Sequence, residues 1–310
     1  MPTIRRTGLT ACVIAIALAG CGKQEGETKS VATPPKIAEE KPVPYTYPAP
    51  VKGHYKDVNI GEFDVVDGIA FPATGGSGTV VYVTDKSIAS PMLAESACPM
   101  TEARALSELR NTHYLEVTLE PSGRSRYFAA GTAFGGSSRE QDVGGRYWSA
   151  KLKTDGGRAV GTVLHRREGG FEFDLPISNP KVNEISQGNW ADGKRTDPTA
   201  PKPNEPAVTA AYHALHDAVM KKDLKALLSA QGFAKAQVNA IRGLEGIDAD
   251  FAVYADRFLN GTPGEFTAKA GTAYLRVEGT NSKGRKFANY YHFAPCGERF
   301  VLAMIAENPQ

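Results

Sequence analysis

The chain has almost no charge of one sign to spare: among 310 residues, 36 basic side chains face 34 acidic ones. A nucleic-acid partner needs a basic surface from which to displace counterions, so that class is excluded. No run of about 18 uninterrupted apolar residues occurs, which excludes an internal transmembrane helix. Phosphate-loop motifs are also missing. The glycine clusters at 75–78, 131–136 and 144–145 lack both the strand–GxGxxG–helix setting and GxxxxGK[ST], and read as turns. Ser137 and Ser138 follow Gly135-Gly136 without a nucleophile elbow. These absences assign no catalytic residue, no cofactor and no metal ligand. What remains is ordinary globular material, 41% hydrophobic and 23% charged, long enough for about two domains.

The N-terminus is the most informative stretch. Arg5 and Arg6 form a cationic start, and Leu9 to Ala19 form an apolar segment of about 11 residues, too short to span a bilayer but suited to a secretory signal. It ends in Leu18-Ala19-Gly20-Cys21. This resembles the lipobox of bacterial lipoproteins: a branched apolar residue, two small ones, then cysteine. The resemblance implies cleavage of signal peptide 1–20 and acylation of Cys21, palmitate included, with the lipid bilayer as partner. Arg5 and Arg6 are the only charges lost with the signal, which leaves a neutral mature chain with no electrostatic attraction to anionic lipid. Gly22 follows the cysteine where many lipoproteins retained in the inner membrane carry Asp, so the resemblance favours the outer membrane, facing the periplasm.

Composition divides the rest. Residues 21–50 form a proline-rich tether with Pro34, Pro35, Pro42, Pro44, Pro48 and Pro50, read as a spacer. Residues 51–178 read as an antiparallel β-sandwich domain. Val80–Val83 is a β-branched run, Leu115, Val117 and Leu119 alternate on one face, and Phe171, Phe173 and Leu175 do the same. One helix is expected at Met100 to Arg110, with Ala103, Leu106 and Leu109 on its apolar side. Residues 179–204 read as an interdomain linker, with Trp190 packing on one domain.

Residues 205–310 change period midway. Asn204 caps a helix whose stripe is Val208, Tyr212, Leu215 and Val219. Asp223 caps a second, with Leu224, Leu227 and Leu228. Asp248 caps a third, with Phe251, Tyr254 and Phe258, ended by Asn260-Gly261. Alternation follows: Ala273, Leu275 and Val277; then Phe287, Asn289, Tyr291 and Phe293; then Phe300, Leu302, Met304 and Ala306. This order, together with Tyr212-His213-Ala214-Leu215-His216 and the segment 222–228, resembles the opening of NTF2-like (cystatin-like α+β) proteins. The resemblance implies a sheet curled around helices to leave a conical pocket. The whole is thus expected to be a multi-domain chain, a β-sandwich followed by an NTF2-like α+β domain.

The candidate sites are few. His213, His216 and Asp217 have helical spacing, but at about 100° per residue His213 and Asp217 fall opposite the apolar stripe, so a solvated face is expected rather than a metal site. Tyr290 and His292 share a strand face with Ala288 and Ala294, and with Tyr274 opposite they are the preferred lining of a ligand pocket; a half-exposed sheet face is the bland alternative. Of four cysteines, Cys12 leaves with the signal and Cys21 is acylated. Cys98 and Cys296 remain, as a disulfide in an oxidising periplasm or as two separate buried thiols. The function expected is a lipid-anchored envelope protein presenting a module for a periplasmic ligand or protein. The competing class is a small-molecule enzyme that uses the NTF2-like pocket with His292 as acid or base.

Overall fold

The computed structural model describes residues 42–73, 78–96, 98–122, 124–132, 137–140, 147–178, 202–256, 261–269, 272–280, 283–296 and 299–306. The signal segment, Cys21, most of the tether, the linker with Trp190, Gly75, Gly76, Gly135, Gly136, Gly144 and Gly145, and Phe258 and Asn260 lie outside them. Lys41–Gln310 is one compact unit.

The fold is mostly β, built on three antiparallel sheets and few helices. Sheet A has the order β2 (Gly61–Val65), β1 (Val51–Asp57), β10 (Gly169–Pro176), β9 (Arg158–His165), β8 (Trp148–Asp155). Sheet B runs β3 (Asp67–Pro72), β4 (Thr79–Thr84), β5 (His113–Leu119), β6 (Ser125–Thr132), β7 (Ser137–Glu140). Strand alternation directs Tyr55, Trp148, Val163, Phe171 and Phe173 of sheet A against Val81, Val83, Leu115, Val117 and Phe128 of sheet B. The two sheets therefore share a core face to face. Gly131 departs from the turn reading: it lies within β6, and an added Cβ would fall 2.9 Å from the Tyr114 hydroxyl. A larger residue there would force the Tyr114 ring to shift.

All six residues of β4 are buried, because sheet B is covered on its other face as well. Ile69, Phe71, Val80 and Tyr82 join a second core with helix α2 (Pro99–Arg110) and the elements of 205–306. Those elements are α3 (Glu205–Met220), α4 (Leu224–Ala230), α5 (Lys235–Arg242), α6 (Ile247–Ala255) and a four-stranded meander, sheet C: β11 (Thr262–Lys269), β12 (Thr272–Thr280), β13 (Lys286–Cys296) and β14 (Arg299–Ala306). A short helix, α1 (Ser90–Leu93), precedes α2. The two halves read from the sequence thus share one continuous hydrophobic cluster.

The caps expected at Asn204 and Asp223 are made: their side chains accept from Ala207 N–H at 2.9 Å and Ala226 N–H at 2.8 Å. Asp248 is not a cap. Its helix begins one residue earlier, after Gly246 in the left-handed region (φ 75°), and Asp248 sits in the first turn, where a carboxylate suits the macrodipole. Helix α5 was not expected, because Ala234 replaces the usual capping side chain; Gln237 compensates by accepting from Ala234 N–H at 2.6 Å. Met304 is also displaced. A register shift between His292 and Phe293 puts Met304 opposite His292, whereas Leu302 pairs with Phe293. A bulge of this kind swaps faces. The open edge of β14 is closed by Gln231, whose amide donates to Leu302 C=O at 3.3 Å and accepts from Leu302 N–H at 3.1 Å.

The described end of the tether is docked rather than free. Tyr45 N–H donates to Gly243 C=O at 2.9 Å. A Cβ at Gly243 would lie 2.2 Å from Val43 C=O, so only glycine lets the strand of chain pass. Tyr47 then donates its hydroxyl hydrogen to buried Asp67.

Candidate functional site: the seam around helix α2

Every residue of α2 is buried, including Glu102, Arg104, Ser107, Glu108 and Arg110. The stripe Ala103, Leu106 and Leu109 is buried, and so is the rest of the helix. Because α2 lies between sheet B and the second half, its polar side chains must be satisfied internally. At its centre Arg104 meets Glu116 of β5 at 2.6 Å, with both groups buried. Tyr82 hydrogen-bonds with Ser107 and stacks on Tyr114 at 5.4 Å between ring centroids. Burial pushes the Tyr82 phenol up, so it stays a neutral hydrogen-bonding group. At the C-terminal end, Arg110 Nε bonds Asp250 of α6 at 3.0 Å, and its fork donates to Glu245 C=O at 2.6 Å. Lys86 completes that network, at 2.8 Å from Asp250. Asn111 closes the helix in the left-handed region at φ 50°, which asparagine tolerates.

The N-terminal end is covalent. Cys98 occupies the N-cap position and is bonded to Cys296 at the end of β13, with Cα atoms 5.7 Å apart. Both sulfurs are buried beside Val301. One turn on, Glu102 accepts from Gln237 Nε2 of α5 at 2.9 Å. Desolvation pushes the Glu102 carboxyl up to about 7, against the opposing pull of Ser96, Gln237 and Arg299.

That shift makes stability depend on pH. The folded value lies above the ordinary 4.5, so the proton stabilises the fold. The contribution is full below about pH 4.5 and is lost as pH rises through about 7. The ceiling is about 3 kcal/mol by linkage. Glu102→Gln mimics the protonated form and keeps an oxygen for Gln237. It should match wild type in urea unfolding at pH 4 and exceed it by 1 to about 3 kcal/mol at pH 8. A gain of equal size at both pH values would disprove the titration.

The candidate pocket residues are brought together. Tyr274 and His292 are paired neighbours on β12 and β13, with rings stacked at 4.5 Å and 17°. Tyr274 is buried, and His292 has no exposed surface at all. Their face runs from exposed Ala288 through half-buried Tyr290 to sealed His292 and Ala294. Burial first, and then the neighbouring Arg104 cation, hold the His292 imidazole well below its ordinary value, so it is neutral. The opposite face, with Leu275, Val277, Tyr291 and Phe293, packs on the helices; Tyr212 meets Tyr291 edge-on at 5.5 Å.

His213 and Asp217 are exposed, and His216 stacks on Tyr212 at 5.8 Å. Among the described residues, no three His, Cys, Asp or Glu side chains gather as metal ligands, and no helix is long and apolar enough to cross a membrane. A second buried polar group went unforeseen: Tyr55 donates to Glu168 at 2.7 Å, and His165 Nδ1 lies 3.0 Å from the same carboxylate oxygen. His165 and Glu168 flank one hairpin turn, but Tyr55 is distant in sequence, and no local signal joins them. No protein family, curated protein or solved structure matches the chain.

Proposed function

We propose that this chain is a lipid-anchored protein of the bacterial envelope whose folded body is a binding or scaffolding module, held through acylated Cys21 and facing the periplasm from the outer membrane. The observation that carries the module reading is the sealing of His292. The one acid–base candidate has no exposed surface, is stacked on Tyr274, and is held neutral by burial first and by the Arg104 cation second. A general base must reach its substrate's proton, so this burial weighs against the enzyme reading. Export is supported by the Leu18–Cys21 pattern and by a buried Cys98–Cys296 bond, which suits an oxidising compartment. An NTF2-like origin for 205–310 is supported by helices followed by an antiparallel meander.

The test is metabolic labelling with an alkyne palmitate, followed by separation of inner and outer membranes. Wild type should take up label and sediment with the outer membrane. Cys21→Ser should lose all label and retain Arg5 and Arg6 in the precursor. An unlabelled wild type whose mature chain begins elsewhere would overturn the anchor.

A further inference from the structure

Sheet A has one solvent face that nothing in the described chain covers. Its residues follow from the strand registers. Across β8, β9 and β10, one row is Lys153–Val160–Asp174, the next Lys151–Thr162–Glu172, and the next Ser149–Leu164–Gly170. Every non-glycine member of these rows is exposed. The left strand is therefore positive, the right strand negative, and the middle strand uncharged in these rows. Val160 and Leu164 in that middle strand are 43% and 53% exposed, among the few large apolar side chains left in water.

This pattern is self-complementary. A two-fold axis running along β9, in the plane between two facing sheets, preserves height along the strand and exchanges left with right. Lys153 of one copy then stands over Asp174 of the other, and Lys151 over Glu172. Val160, Thr162 and Leu164 each meet their own counterpart on the axis. Two-fold interfaces are isologous and require this property, and facing sheets pack about 10 Å apart with strands within about 30° of parallel. Arg158, next along β9, also falls on the axis, but its guanidinium is turned onto its own Asp174 at 2.7 Å, and Lys153 lies 3.6 Å from its own Asp155, so the charge match between copies rests mainly on Lys151 and Glu172. On β1, His54 and Lys56 are already paired with Asp64 and Glu62 of β2, whereas exposed Lys52 stands beside Glu172 in the register.

We propose that the outer face of sheet A is a homodimer interface, occupied by the same face of a second copy of this chain. The full-length chain in its native membrane tests this by cysteine cross-linking. Thr162→Cys lies on the axis and should give, on mild oxidation, a band at twice the monomer mass. Lys225→Cys, exposed on α4, should give none. Lys151→Glu places like charges across the axis and should weaken dimerisation of the detergent-solubilised chain about tenfold in analytical ultracentrifugation, and Lys151→Glu with Glu172→Lys should restore it. Failure of Thr162→Cys to form the doubled band, equal cross-linking at Lys225→Cys, or a Lys151→Glu defect that the second reversal does not repair would each overturn the interface.

Discussion

Replacing Cys98 and Cys296 together by alanine is expected to lower the unfolding free energy by about 5 kcal/mol. The bond joins residues 198 positions apart, and closing so long a loop removes that much entropy from the unfolded chain in the loop-closure account. Both cysteines are buried, so two small cavities add to the loss rather than offset it. Because the unlinked unfolded chain exposes more surface, the urea m-value should rise as the midpoint falls. The transition should remain single. The hydrophobic cluster that includes Phe71, Leu106, Leu215, Phe251 and Leu302 spans both halves, so neither half keeps its core when the other melts. Urea unfolding of the oxidised wild type and the double variant, followed by near-ultraviolet and far-ultraviolet circular dichroism, measures all three. A loss below about 1 kcal/mol, or transitions that separate in the variant, would show that the halves are stabilised independently of the bond.

That unity was the least legible part of the fold. Elements with a clear period were readable: the alternation at 115–119 and 171–175, the stripe Val208–Tyr212–Leu215–Val219 and the strand faces of β12 and β13 all fall as patterned, because the more apolar face writes its period into the sequence even where the other face is also covered. Helix α2 was legible only in part. Its apolar stripe is real, but burial on the remaining side is achieved through partners at Glu116, Gln237 and Asp250, and sequence spacing carries no trace of a partner more than 100 residues away, as the last two are. The proline-rich run before residue 50 likewise hides Tyr47, whose partner Asp67 is legible only in three dimensions. His292 was found as a residue but not as an environment. Alternation placed it on the correct face with Tyr274, yet whether that face meets water or Arg104 depends on how the halves pack.

The ion pair at the centre of the seam supplies the second large effect. Arg104→Met keeps the aliphatic bulk but leaves Glu116 as an uncompensated carboxylate with 1% exposure. Breaking a buried pair in this way should destabilise by about 3 to 5 kcal/mol at pH 7. The double variant Arg104→Met/Glu116→Leu removes both charges and should recover most of the loss, since apolar packing commonly equals or exceeds a buried pair. His292 supplies an internal check. Its imidazole is depressed by burial first and by Arg104 second, so removing the cation should move its titration upward, though not to the ordinary value. A folded value below the unfolded one contributes stability above about pH 6.5 that is lost on acidification, and this acid limb should shrink in the double variant. Urea titrations of wild type, both single variants and the double variant at pH 4, 6 and 8 close the cycle. Additive losses in the double variant would mean that Arg104 and Glu116 act through other partners, and an unchanged acid limb would mean that Arg104 does not act on His292.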